Sequence, residues 1–116
     1  MSLENNGGFS SVRLPLRALD VKPEQKIIIR LKGNGEKYQF RVKHNRRAYQ
    51  SYVTYFETNG KWQEVEISLN ELYPIYRGNR LNRDNFNFQT IEEIGFLIGN
   101  KKPQSFRLLI DKIELE

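Results

Sequence analysis

The sequence predicts an all-β fold, an antiparallel β-sandwich, and three observations support it. Several stretches alternate apolar and polar residues with a period of two, the clearest being 26–43, KIIIRLKGNGEKYQFRVK, and this period is typical of half-buried strands. The chain has 7 Phe, 6 Tyr and 1 Trp, and large rings suit the space between two packed sheets. No stretch has the pattern of a long helix, so we expect residues 1–116 to form a single sandwich domain.

The stretch 26–43 is predicted to fold as an antiparallel hairpin. Each of its two runs has three apolar residues on one face: Ile27, Ile29 and Leu31 in the first, and Tyr38, Phe40 and Val42 in the second. Gly33-Asn34-Gly35 lies between the runs and tolerates positive φ, which is typical of a tight turn. We therefore expect the basic outer side chains of both runs to share one surface.

Further elements are predicted on both sides of this hairpin. Before it, NNGG at 5–8 indicates a turn, and 9–14 indicates a short strand. Residues 15–25 are predicted to be a connector with one loose helical turn, because Pro23 prevents a longer helix. After the hairpin, strands are predicted over 49–58, 61–69, 91–98 and 104–115, with a turn at 99–103 and a phase change between Ile110 and Ile113.

The third and fourth strands have two local features. Residues 49–58 have apolar mass on both faces, so we expect a central strand with one face on the core and the other in a shallow groove. Asn59-Gly60 predicts a hairpin turn into 61–69. Trp62 is out of phase with Val65, which indicates a bulge or the beginning of the strand near Gln63.

Composition and charge limit the classes of function. The formal net charge is +5, which favours an ordinary basic surface over nucleic-acid binding. The absence of cysteine excludes disulfides, thiol catalysis and cysteine metal sites. No run has the apolar length of a membrane span. The chain begins without a signal peptide, so we expect a cytoplasmic location if the sequence is complete, an inference that fails for a trimmed chain.

Catalytic and metal-binding patterns are missing from the sequence. The single histidine, His44, lies among Lys43, Arg46 and Arg47 and is expected to be a solvated loop residue rather than a zinc ligand or a triad base. Glu92 and Glu93 are adjacent and would face opposite ways in a strand, so they make a poor acid–base pair. We therefore expect neither an enzyme nor a bound metal or cofactor.

One candidate ligand site lies on the predicted basic face. It combines planar aromatic rings with hydrogen-bond donors: Arg30, Gln39, Arg41, Tyr49 and Tyr55. Rings of this kind stack on sugars or bases, while Arg and Gln donate to hydroxyls or phosphates. The alternative is a plain polar outer face with basic side chains lying along it.

A second candidate is the long irregular stretch 70–90, which contains YPIYRGNRLNR at 73–83. Tyr76, Arg77 and Arg80 are its contact candidates, because such a long loop in a compact domain often rims a ligand site or docks a partner. The alternative is a loop whose aromatic residues only pin it to the sandwich.

Several motifs together resemble the complex I intermediate-associated protein 30 family, including its uncharacterised bacterial members. They are LENNGGFSSVR at 3–13, KGNGEKYQFRV at 32–42, the spacing from Phe56 to Trp62, KWQEVEISLNEL at 61–72, YRG at 76–78 and IGFLIGNKKPQSFRLLIDKIE at 94–114. The resemblance extends over nearly the whole chain.

The resemblance implies a non-enzymatic, galactose-binding-like jelly roll, which is similar to carbohydrate-binding modules. Mitochondrial members are assembly chaperones for respiratory complex I, the NADH:ubiquinone oxidoreductase. Family members usually have more sequence before the ENNGGF motif, so we expect one or more N-terminal strands of the usual jelly roll to be absent. An unpaired sheet edge would then favour a homodimer.

These observations predict a non-catalytic binding or assembly domain whose ligand is either a protein partner or a carbohydrate. In the carbohydrate version, Tyr49 and Tyr55 are the stacking platforms and Arg30, Gln39 and Arg41 are the donors. The alternative is a nucleic-acid-binding module that uses the same basic face of 26–43.

Overall fold

The computed structural model describes residues 2–4, 11–77, 79–98 and 107–116. These residues form strands and one short 3-10 helix at Leu69–Glu71, which confirms the predicted all-β class. The strands are β1 (Ser2–Glu4), β2 (Ser11–Asp20), β3 (Lys26–Lys32), β4 (Lys37–Lys43), β5 (Ser51–Glu57), β6 (Trp62–Ser68), β7 (Tyr73–Tyr76), β8 (Asn79–Arg80), β9 (Thr90–Ile98) and β10 (Arg107–Leu115).

The strands form two antiparallel sheets that face each other across one core. The four-stranded sheet has the order β1-β10-β3-β6, and the six-stranded sheet has the order β2-β9-β4-β5-β7-β8. Alternate residues of both sheets meet between them and are almost fully buried, among them Ile29, Leu31 and Leu108 from one sheet and Tyr38, Phe40 and Phe96 from the other. Burial of these side chains is the main favourable contribution to folding.

Two details of the predicted strands are confirmed. β5 lies between β4 and β7, so it is central, with Tyr52 and Phe56 in the core cluster. β10 shifts its register against β3 between Ile110 and Lys112, which is the predicted change of phase. The predicted turns at 5–8 and 99–103, residues 9–10 of the predicted first strand and residues 104–106 of the predicted last strand lie outside the described residues.

The predicted hairpin over 26–43 is wrong. β3 pairs with β10 and β6, whereas β4 pairs with β5 and β9, so the two runs belong to different sheets. Alternation identifies the buried face of each run but not its hydrogen-bonded partner. The apolar faces of the two runs therefore meet across the core instead of lying side by side.

The hairpin predicted at Asn59-Gly60 is wrong for the same reason, since β5 and β6 also lie in different sheets. The connection from β3 to β4 and the connection from β5 to β6 are joined at Thr58, which is 7% exposed. Its hydroxyl accepts a hydrogen bond from the Gly35 N–H at 3.0 Å and donates to the Glu36 carbonyl oxygen at 2.8 Å. Gly35 has φ of 89°, a left-handed conformation that favours glycine.

The connector predicted over 15–25 is also wrong, because β2 continues to Asp20. β2 is an edge strand, and proline is tolerated at sheet edges, where its missing N–H costs no ladder bond. The register against β9 shifts between Pro15 and Leu19.

At β6 there is no bulge at Gln63; the strand begins at Trp62, whose side chain is 45% exposed.

An aromatic cluster closes the core beneath the stretch 70–90. Phe86 is almost fully buried, and its ring meets those of Tyr52 and Phe88 edge to face. His44 stacks on Phe88 with ring centroids 3.7 Å apart and planes at 4°. His44 is therefore a packed residue rather than the solvated one predicted, and burial lowers its pKa below the ordinary value of 6.5.

Among the described residues, no helix is long and apolar enough to span a membrane.

The first prediction concerns Gly33→Ala. A Cβ at this position would overlap the Thr58 side chain, so we expect the free energy of unfolding to fall by about 1–3 kcal/mol. Denaturant unfolding measures the change. In a Thr58→Gly background the same substitution should cost less, because the overlapping atoms are gone. An equal cost in both backgrounds would contradict the contact.

The second prediction concerns His44, the only histidine of the chain. Because burial lowers its pKa in the folded state, the unfolded chain takes up the proton first as pH falls. Neutral His44 thus makes its full contribution to the free energy of unfolding above pH 6.5, and this contribution is lost as pH falls through the lower folded pKa. We expect urea unfolding between pH 7 and pH 5 to show this loss in the wild type. The free energy of unfolding of His44→Gln should change less steeply with pH, and identical slopes in the two proteins would refute the prediction.

Candidate functional site

The outward side chains of the six-stranded sheet form the candidate site, here called the outer face. Because Tyr38, Phe40 and Val42 of β4 point into the core, the residues between and after them point outward: Gln39, Arg41 and Lys43. Across from β4, Val53 of β5 pairs with Arg41 and Tyr55 pairs with Gln39. On the other side, Gly95 of β9 pairs with Arg41.

A hydrogen-bonded chain of side chains crosses the outer face. The Gln39 amide nitrogen donates to the Tyr55 hydroxyl at 3.1 Å. Its amide oxygen accepts from Arg41 Nε at 3.2 Å and from Arg41 Nη2 at 2.9 Å. Gln39 is only 7% exposed, so these bonds satisfy a buried amide. Burial, and to a smaller extent the neighbouring Tyr55, raises the pKa of Tyr73.

A pocket of about 170 Å³ lies beside this chain, where β4, β5, β7 and β9 meet. Tyr49 and Tyr76 form one wall, with ring centroids 5.3 Å apart and planes at 84°. The two rings are 49% and 37% exposed. The complete lining is Arg41, Lys43, Tyr49, Ser51, Ile75, Tyr76, Arg77 and Glu93.

Four tyrosines on and beside the outer face have a cation over the ring. The guanidinium carbons of Arg77, Arg80 and Arg83 lie 5.2, 4.4 and 5.7 Å from the ring centroids of Tyr76, Tyr73 and Tyr49, respectively. The Lys37 ammonium lies 4.9 Å from the Tyr55 centroid. Contacts at these distances are attractive and restrict the long basic side chains.

The structure unites the two candidate sites of the sequence. Gln39, Arg41 and Tyr55 lie on the outer face, Tyr49, Tyr76 and Arg77 line the pocket, and Arg80 stacks at its margin. The stretch 70–90 reaches the sheet because β7 pairs with β5 and β8 pairs with β7. The predicted loop is therefore partly an extension of the sheet.

Arg30 does not join this site, so its predicted grouping with Gln39 and Arg41 is wrong. It lies on β3 in the other sheet, where its Nε is 3.2 Å from Asp111 Oδ2 and its guanidinium lies 5.4 Å from the Trp62 centroid. The error follows from the hairpin prediction, which placed β3 and β4 side by side.

Sequence reasoning missed several residues of the site: Lys37, Lys43, Ser51, Tyr73, Ile75, Arg83 and Glu93. For Lys37 and Lys43 the sequence did contain a signal, since both lie at alternate positions with Gln39 and Arg41 and therefore on the same face of the strand. For Glu93 and Ile75 only the strand order reveals the proximity. No group of three or more His, Asp or Glu side chains that could hold a metal ion occurs in the described part of the chain.

Solved structures with similar folds include carbohydrate-binding modules. The family 11 carbohydrate-binding module from Clostridium thermocellum, solved with a β-1,3-1,4-mixed-linked tetrasaccharide, superposes with a TM-score of 0.70 at 17% identity over 90% of this chain. The same family 11 module of the C. thermocellum cellulosomal cellulase Lic26A-Cel5E gives the same values. The chain spans only 66% and 65% of those two modules.

A third structure, the homodimeric agglutinin CG-16 from chicken liver, has a TM-score of 0.50 at 9% identity. The match covers 91% of this chain and 99% of the agglutinin. At such identities the likeness shows the fold, and the jelly-roll sandwich expected from the sequence is confirmed. No curated protein sequence matches the chain.

The family comparison is more specific than the structural one. The sequence profile of the complex I intermediate-associated protein 30 family matches residues 1–110, nearly the entire chain. This protein belongs to the complex I intermediate-associated protein 30 family.

Proposed function

We propose that this chain is a non-catalytic binding domain that holds a carbohydrate on the outer face of its six-stranded sheet. The observation that supports this most directly is the pocket, where two exposed tyrosines stand at right angles beside Arg41, Lys43 and Glu93. Aromatic walls with a few convergent polar groups are typical of sites that bind small polar ligands.

The chemistry of the pocket suits a sugar ring. Ile75 and the tyrosine rings offer apolar surface to the C–H groups of a pyranose, while Ser51 and Glu93 offer acceptors for its hydroxyls. Arg41 and Lys43 supply donors. Because Gln39 already holds Arg41 through two hydrogen bonds, this guanidinium loses little further freedom on binding.

The two tyrosines chosen from the sequence as stacking platforms have different roles in this proposal. Tyr49 is a wall of the pocket and remains the principal platform. Tyr55 lies farther along the sheet, with Lys37 over its ring and Gln39 on its hydroxyl. It would therefore contact a neighbouring unit of a longer saccharide.

A protein partner is the second candidate ligand. The family description refers to intermediates of complex I, and Tyr and Arg, which dominate the pocket rim, are the residue types enriched in protein-interface hot spots. Nucleic acid is a third candidate, because the formal net charge is +5. Binding of an oligonucleotide that weakens steeply with salt would favour this third reading over the others.

A homodimer through an open sheet edge is also a proposal, and β6 is the edge that we assign to it. β6 ends the four-stranded sheet with seven residues, and it contains neither proline nor a bulge. A regular edge of this kind is able to pair with a second copy. We expect sedimentation velocity to show a concentration-dependent dimer that Val65→Pro abolishes; a monomer at all concentrations would refute the edge pairing.

The test of carbohydrate binding compares one exposed aromatic residue on each sheet. We expect Tyr49→Ala to weaken binding of an oligosaccharide by at least about tenfold, since truncating a central aromatic anchor usually costs more than ~1 kcal/mol. Trp62→Ala is the matched control, because Trp62 is 45% exposed on the other sheet.

Isothermal titration calorimetry with neutral and acidic oligosaccharides measures both variants. Loss of binding in Trp62→Ala but not in Tyr49→Ala would place the site on the four-stranded sheet and contradict the proposal. A wild-type protein that binds no saccharide of either kind would leave the protein partner as the better reading.

A further inference from the structure

The charges of the two sheet faces differ in how they are compensated. On the four-stranded sheet, three cations pair with carboxylates: Lys26 with Glu66, Arg30 with Asp111 and Lys112 with Glu114. On the outer face of the six-stranded sheet and beside it, Arg77, Arg80 and Arg83 have no carboxylate partner among the described residues. Glu93 is the one acidic side chain among the described residues that line the pocket.

The unpaired arginines are held by tyrosine rings instead. The guanidinium carbons of Arg77, Arg80 and Arg83 lie over tyrosine rings, 5.2, 4.4 and 5.7 Å from the ring centroids. Attraction to a ring restricts the side chain without engaging its N–H donors with a carboxylate. Restricted donors of this kind lose little entropy when an anion binds, and their geometry matches a carboxylate or a sulfate.

Arg77 adopts a backbone conformation that is unusual for a residue with a side chain. Arg77 has φ of 51°, the only positive φ of a non-glycine residue among the described ones. It directly follows β7 and precedes β8, which pair Tyr76 with Asn79 around a tight turn. A glycine would adopt this conformation at lower cost. Arginine at the position instead brings a charge to the pocket, which it lines with Arg41 and Lys43.

We propose that the ligand of this site is an acidic saccharide, a chain with a carboxylate or sulfate group on the unit that enters the pocket. This inference rests on the proposed carbohydrate binding and specifies its ligand class. The pocket, about 170 Å³, is smaller than the ~300–1,000 Å³ usual for small-molecule sites. It therefore holds one unit of the chain, and the neighbouring units lie along the open sheet.

A nucleic acid shares the negative charge but fits the arrangement less well. Its phosphates repeat along the backbone and are usually followed by a track of cations. Here Arg41, Lys43 and Arg77 converge on one small pocket instead of forming such a track.

The experiment titrates the full chain with four sets of probes in a calorimeter: uronic-acid oligosaccharides, their methyl esters, sulfated oligosaccharides and a single-stranded oligonucleotide. Methyl esterification removes the charge and leaves the sugar in place. We expect binding of an acidic saccharide, a loss of at least about tenfold on esterification, and weakening by salt. The uronate and sulfate arms distinguish the two sources of charge.

The outcomes separate this inference from the proposed function. Equal binding of acid and ester, or binding of neutral sugars alone, would overturn the acidic ligand and leave carbohydrate binding intact. Binding of the oligonucleotide alone, or of none of the probes, would overturn both.

Three variants test which arginines recognise the anionic group of the saccharide. Arg80→Gln and Arg77→Gly should each weaken binding of the acidic saccharide by about tenfold. Arg30→Gln removes the same charge from the other sheet and should leave the affinity unchanged. Arg77→Gly should also keep or raise the melting temperature, because glycine suits a φ of 51°. An unchanged affinity in Arg77→Gly and Arg80→Gln, with the fold intact, would overturn the role of these arginines.

Discussion

The packing of two sheets against each other is the constraint on which the rest of this structure depends. Each strand must supply alternate side chains to the shared core, so the residues between them are delivered to the outside. In β4 the burial of Tyr38 and Phe40 places Gln39 and Arg41 outward. The site is therefore a consequence of core packing: a register shift of one residue would move the polar chain inward and the rings into water.

The same packing explains how the chain changes sheets. The connections after β3 and after β5 both cross between the sheets, and Thr58 of the second connection hydrogen-bonds Gly35 and Glu36 of the first. Gly33 is required where the backbone passes close to Thr58, since no Cβ fits there. These crossings bring β4 and β5 together as neighbours in one sheet. They also separate Arg30 from Arg41.

The two outer surfaces of the sandwich differ in how their charges are compensated. Ion pairs neutralise Lys26, Arg30 and Lys112 on the four-stranded sheet, and such exposed pairs contribute little to stability. The six-stranded sheet instead places arginines over tyrosine rings and holds Arg41 on a nearly buried glutamine. This difference is the reason for which we propose that the six-stranded sheet, and not the four-stranded one, recognises an anionic, hydroxyl-rich ligand.

The sequence by itself determined most of the strands, the buried face of most of those and the family, because alternation and motifs are local properties that need no partner strand. It thereby predicted that Gln39 and Arg41 face outward with Tyr55. Only the tertiary structure decided which strands are neighbours, since the alternation of β3 and β4 is the same whether they pair or face each other. The pocket joins residues as distant as Tyr49 and Glu93, and strand order alone brings them together.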